Sequence, residues 1–254
     1  MEINIKNLNY KNIFENLNLN IKENKVTLIL TKSETQTTTL LNLLFGKFKD
    51  YKCDILLGNK KVEYDDISYL EQENNSFFNI NLLEDITYNL KKYDKEELND
   101  MLKLFNLDDT ILNKNYLEIS NSEYRKLYII ATFIRNSKII VLDNPTIGLD
   151  QKSIQTLIKI IKRTKRKNKI IITLSNDSNF LLQIIDDIII IDNDEIIKFD
   201  NKYEFFDNKK ILSKINIDIP DIIKFKNILL KEKNIKLNNQ DNINDLIKEI
   251  YRNA

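Results

Sequence analysis

The chain has 254 residues, 30% of them charged, and a formal net charge of +1. That length holds one α/β domain with a substantial core plus an appendage, and so even a charge balance gives no electrostatic footprint for nucleic acid. Cys53 is the only cysteine, which excludes an intramolecular disulfide and suits a reducing cytosol. The opening MEINIKNLNY lacks the apolar stretch of a signal peptide. The richest apolar run, Ile184–Ile191, is broken by Asp186 and Asp187, far short of a membrane span. Membrane association is therefore expected through a partner. Glycine occurs three times and histidine never, where typical usage near ~7% would give about eighteen glycines. A missing glycine carries less weight here than usual, and a missing lysine more.

Apolar residues alternate at Ile3, Ile5 and Leu8 and again at Leu17, Leu19 and Ile21, which predicts two half-buried antiparallel strands with Tyr10 between them. Val26–Leu30 reads as a buried strand. Thr39–Leu44 reads as a helix with Gly46 at its C′ position. Cys53–Val62 predicts a hairpin turning at Gly58-Asn59, with Cys53 a small buried hydrophobe. Ile67–Leu70 predicts another strand, ending at Glu71-Gln72. Residues 82–136 read as helical, with Asp94–Glu97 and Ser120–Glu123 as capping-box starts.

The next stretch organises the rest. Ile139, Ile140, Val141 and Leu142 are too few for a helix and β-branched enough for a strand buried on both faces of a parallel sheet. The run stops at Asp143, and Pro145 forbids further ladder pairing. A carboxylate at the C-terminal tip of a parallel strand sits where open α/β sheets bind ligands. A helix through Ile154–Ile161 then ends in the basic run Lys162–Lys169, which reads as a solvated helix end. Ile170–Leu174 is a buried strand and Ile188–Phe199 a closing hairpin. Pro220 is suited to the N1 position of one tail helix, and Ile243–Ile250 forms a second.

The string KIIVLDNPTIGLD, Lys138–Asp150, resembles the Walker B motif and D-loop of ATP-binding cassette (ABC) proteins. The resemblance makes Asp143 a Mg²⁺ ligand and puts Asp150 at the seam of an ATPase dimer. It departs at Asn144, where the family has the glutamate that orients the attacking water. TKSETQTTT, Thr31–Thr39, falls where the family has G-x-x-G-x-G-K-[ST]-T. Thr31, Glu34 and Gln36 take the glycine positions, Thr37 the lysine position and Thr38 the Mg²⁺-ligand position. Lys32, Ser33, Thr35 and Thr39 complete the nucleotide loop. Using Lys32-Ser33 as the lysine–serine pair would start the helix inside the Val26–Leu30 strand and is rejected.

A left-handed backbone at such non-glycine positions would cost roughly 1–2 kcal/mol each. Glu34 would add repulsion of up to ~4 kcal/mol at ~4 Å and an effective dielectric of ~20. Lysine is abundant in this chain, so composition does not explain its absence from position 37. By the same resemblance Gln72 is the Q-loop glutamine, touching Mg²⁺ and the attacking water, and Asn176 replaces the switch histidine. Ser120, Asn121, Ser122 and Glu123 stand where the signature motif meets the γ-phosphate held by the partner subunit, though plain helix capping explains them almost as well. Tyr10 is either the family's adenine-stacking aromatic or an ordinary loop-edge tyrosine.

The tail resembles the C-terminal extension of energy-coupling factor (ECF) transporter A-components, with Asn216–Pro220 in place of G-L-D-x-P. The implied fold is α/β: a P-loop NTPase (RecA-like) core with an antiparallel β subdomain, a helical subdomain over about 82–136 and a helical extension. The expected division is residues 1–205 for the nucleotide-binding domain and 206–254 for the extension. The implied ligands are ATP and Mg²⁺, with weak or lost binding and hydrolysis. The implied partners are a second ABC ATPase subunit, as a hetero- or homodimer, a transmembrane T-component and a substrate-binding S-component, at the cytoplasmic face of the membrane. Alternatives are a catalytically inactive structural half of a heterodimer, an active ATPase using compensating residues, and a soluble ABC protein outside transport.

Overall fold

The computed structural model describes residues 1–47, 52–72, 81–88, 90, 92–192 and 195–253. The side chain of Cys53 lies outside that description, so its expected burial is not tested.

Two sheets form the framework. β1 (Glu2–Tyr10), β2 (Phe14–Lys22), β4 (Lys52–Leu57) and β5 (Lys60–Lys61) make an antiparallel sheet in the order β2-β1-β4-β5. The second sheet is β10-β9-β3-β8-β7-β6, formed by β3 (Lys25–Thr31), β6 (Ile67–Leu70), β7 (Ile139–Asp143), β8 (Ile170–Leu174), β9 (Asp187–Asp192) and β10 (Glu195–Phe199). Its strands pair in parallel except for the antiparallel edge strand β10.

Strand period two explains how the large sheet is held. Val26, Leu28, Ile140, Leu142, Ile171 and Ile188 enter one core. Ile29, Ile139, Val141, Ile170, Ile172 and Ile189 enter the other, against the antiparallel sheet and helix α1 (Glu34–Leu44). Both faces are thus covered, as continuous Ile-rich strands require. Each such side chain contributes about 1.5–3 kcal/mol by leaving water.

The helical segment comprises α2 (Leu82–Ile86), α3 (Lys95–Leu104) and α4 (Asn121–Ile134). The Ser120–Glu123 capping box forms in full, whereas at α3 only the Asp94 side chain caps, accepting from the Glu96 and Glu97 amides. Asparagine takes over where glycine is scarce. Among the described residues, nine of the ten non-glycine positions with positive φ are Asn, and the other is Lys11. The short amide tolerates the left-handed region better than other side chains.

After α5 (Gln151–Lys165) and α6 (Ser178–Ile184), the chain ends in α7 (Lys202–Asp207), α8 (Lys209–Ile215), α9 (Asp221–Lys233) and α10 (Ile243–Asn253). Pro220 is the N-cap of α9, one position before the expected N1. The main core runs through the expected boundary at 205/206. Phe205 and Phe206 are fully buried beside it, and Leu212, Ile217 and Ile223 join the same cluster as Val26 and Leu28.

Candidate functional site

A cleft of about 630 Å³ opens at the C-terminal ends of β3, β7 and β8, between them and α1. Its floor carries Thr31, Asp143, Leu174 and Ser175 from the strand ends. Its walls carry Lys32, Ser33, Glu34, Thr37 and Thr38 on one side and Gln72, Asn144 and Asn176 on the other.

The phosphate-loop segment departs from its expected shape. Helix α1 begins at Glu34, five residues before the expected start, with Ser33 as N-cap and its Oγ accepting from the Gln36 amide. Only Lys32 and Ser33 remain between strand and helix. None of Thr31, Glu34 and Gln36 has positive φ, so the expected left-handed strain is not incurred. Helical period then divides the segment. Glu34, Thr37 and Thr38 face the cleft, Gln36 and Thr39 are buried away from it, and Thr35 is exposed outside it. Thr37 Oγ1 lies 2.5 Å from Thr31 Oγ1, and the Thr37 amide donates to the Ser33 carbonyl at 3.2 Å. A pair of hydroxyls ties the strand end to the helix at the position expected to replace a lysine.

On the opposite wall, Tyr69 Oη donates to Asp143 Oδ2 at 3.1 Å. Asn144 Nδ2 donates to Gln72 Oε1 at 2.9 Å and to Asp143 Oδ1 at 3.3 Å. Asn144 adopts φ +42° and its amide donates to the Leu174 carbonyl at 2.7 Å. Burial pushes the Asp143 carboxyl above the usual range, against the pull of the Tyr69 hydrogen bond and the Arg125 charge. Burial, with the Asp143 charge behind it, pushes the Tyr69 hydroxyl up as well. The oxygens of Thr38, Gln72 and Asp143 line one cleft and are the donor type that Mg²⁺ takes. Each carboxylate oxygen keeps a lone pair after accepting one hydrogen bond.

Tyr10 is elsewhere. It ends β1, is 6% exposed in the core under the antiparallel sheet, and lines no part of the cleft. The loop-edge expectation is corrected, since Tyr10 is a buried strand residue. Ser120, Asn121, Ser122 and Glu123 open α4 outside the cleft. Asp150 caps α5, its Oδ1 accepting from the Ser153 amide at 2.7 Å.

Arg125 has no counterpart among the sequence expectations. It is 1% exposed and donates to the carbonyls of Glu71 (2.7 Å) and Asn144 (3.2 Å). Its side chain would meet a Cβ on Gly148 at 3.8 Å. One guanidinium therefore ties α4 to the ends of β6 and β7 and to the turn before Asp150. A lone arginine within an apolar helix, four residues from Asn121, is the only signal in the sequence.

The two-layered sheet framework and the strand-end cleft define an α/β P-loop NTPase of the nucleotide-binding-domain type. The profile of the ABC transporter family matches residues 14–147, and the chain belongs to that family. A relative from Mycoplasma genitalium, named as an ABC transporter ATP-binding protein, is 30% identical over 256 residues, covering 91% of this chain and 70% of its own. The energy-coupling factor transporter ATP-binding protein EcfA2 of Mycoplasma capricolum is 26% identical over 87% of this chain and 86% of its own. The solved structure of cbiO1 from Clostridium perfringens, part of the ABC transporter complex cbiONQ, superposes with a TM-score of 0.66 over 84% of this chain and 94% of that one, at 22% identity. Across such relatives the chain spans from 44% to 97% of their length.

Proposed function

We propose that the chain is the ATP-binding subunit of an ECF-type importer, an A-component whose own ATPase activity is weak or lost. The hydroxyl contact between Thr31 and Thr37 carries the second half of this proposal. By the motif alignment Thr37 stands for the lysine that meets the β- and γ-phosphates, so a triphosphate would gain no cation from this position. Glu34 on the same wall adds a like charge. Bound Mg²⁺, held by Asp143, Thr38 and Gln72, would neutralise phosphate oxygens. The positions of the general base, the Q-loop glutamine and the switch are all amides, Asn144, Gln72 and Asn176. An amide does not take a proton from water, and a lost general base costs about 10²–10⁴ in rate.

The ECF assignment rests on the tail and on the relatives so named. Phe225, Ile228, Ile243, Ile247 and Tyr251 are 42–81% exposed on α9 and α10, an apolar surface suited to a second ATPase subunit. Among the described residues no helix is long and apolar enough to cross a membrane, so attachment at the cytoplasmic face would run through the T-component, with an S-component supplying the substrate. Calorimetric titration with Mg-ATP tests the cleft. High-micromolar or weaker binding without turnover is expected. A low-micromolar dissociation constant, or turnover abolished by Asp143→Ala, overturns it. Co-purification from native membranes tests the partners.

A further inference from the structure

Lys32 belongs to the expected nucleotide loop, although the register that makes Lys32-Ser33 the lysine–serine pair is rejected on the sequence. In the fold β3 runs to Thr31 and α1 starts at Glu34, so Lys32 stands in the turn between them whichever register is used. Lys32 lines the cleft, and its side chain is 55% exposed. Its backbone is fixed, the Lys32 amide donating to the Ile191 carbonyl at 3.1 Å. Its ammonium lies 3.3 Å from Asp192 Oδ1 at the end of β9, and Lys214 on α8 holds the other oxygen of the same carboxylate. The neighbouring tail residue Ile215 lines the cleft itself. Among the described residues the other lysine lining the cleft is Lys47, which stands past the far end of α1. Eleven residues at ~1.5 Å each put it about 16 Å along the helix.

We propose that Lys32 is the cation this cleft offers to a nucleoside triphosphate, held in reserve by Asp192, and that occupancy transfers it from Asp192 to phosphate. The inference rests on the nucleotide-binding role proposed above. Two lysines share one carboxylate, so Lys32 leaves without stranding Asp192, which keeps Lys214. The charge released onto the tail side then links the filled cleft to α8. A lysine suits the task because its ammonium is a compact point charge on a flexible stem.

The test is binding of Mg-ATP and of adenosine, followed by fluorescence or calorimetry, in the full chain and in K32A, K32R, D192N, K47A and the K32A/D192N double variant. A charge-assisted contact is worth about 1.5–3 kcal/mol, so K32A is expected to weaken ATP about tenfold or more and to leave adenosine unchanged. K32R is expected to restore most of the ATP affinity, and K47A to change it less than twofold. D192N is expected to tighten ATP severalfold, and only where Lys32 is present. Melting of each variant confirms that the fold persists.

Equal ATP affinity in K32A and the parent overturns the inference while leaving weak nucleotide binding intact. Tightening by D192N that survives in the double variant also overturns it, since general relief of negative charge would then be the cause. Binding by D192N alone, with none by the parent, supports the inference and refutes binding by the parent chain. Binding by none of them refutes both.

Discussion

Thr31 and Thr37 face each other across the strand–helix junction with their Oγ1 atoms 2.5 Å apart. The nine-residue segment that reads as a nucleotide loop leaves only the two-residue turn Lys32-Ser33 between strand and helix. Thr37→Lys with Glu34→Gly removes the contact and the like charge together and restores an ammonium. Mg-ATP affinity is expected to rise about ten- to hundredfold, read by calorimetry. No gain would mean that the short turn, rather than the missing charge, limits binding.

Asp143 should leave a signature in the pH dependence of stability. Its carboxyl is raised by burial, so its contribution is complete below the unfolded value near ~3.9 and is lost as pH rises through the folded value. Asp143→Asn removes that titration and keeps an acceptor for Tyr69. The variant is expected to melt higher than the parent near neutral pH, with the difference closing on acidification toward about pH 4. A difference independent of pH would contradict the role of desolvation.

Arg125 is expected to be the most sensitive polar position of the fold. Arg125→Met leaves the carbonyls of Glu71 and Asn144 without the guanidinium, at a cost of about 2–4 kcal/mol by urea denaturation. Arg125→Lys keeps the charge and loses the fork, so it should recover only part. Hydrogen exchange should accelerate at the ends of β6 and β7 before the rest of the sheet.

Truncation separates two parts of the tail. Removing residues from Lys210 onward takes Leu212, Ile217 and Ile223 out of the main core. Large buried side chains lost from a core cost about 2–5 kcal/mol each, so the shortened chain is expected to melt far lower or fail to fold. Removal from Ile235 onward spares those three residues and should leave the melting transition of the core cooperative. If both truncations melt alike, the core does not depend on α8 and the start of α9.

Much of the framework was legible in the residues. The Ile139–Leu142 run, the alternation in β1 and β2 and the Ser120–Glu123 box each express a local period or cap, and each appears where its pattern stands. Asp143, Asn144, Gln72 and Asn176 also meet in one cleft, because each follows a strand of the same parallel sheet or the turn beside it. Motif order along the chain was enough to bring them together.

What the tertiary structure alone decided depends on contacts between distant segments, or on competition between local ones. Ser33 captures the Gln36 amide, so helix wins over loop through Glu34–Thr38, and no periodicity announces that choice. Tyr10 is buried because it joins the core under the antiparallel sheet, and a tyrosine at a strand end carries no mark of that. Arg125 finds its carbonyls 54 and 19 residues away, and Asp192 gathers lysines from the turn after β3 and from α8. A sequence records local propensity and pattern; the meeting of charges across the fold follows from the path of the folded backbone.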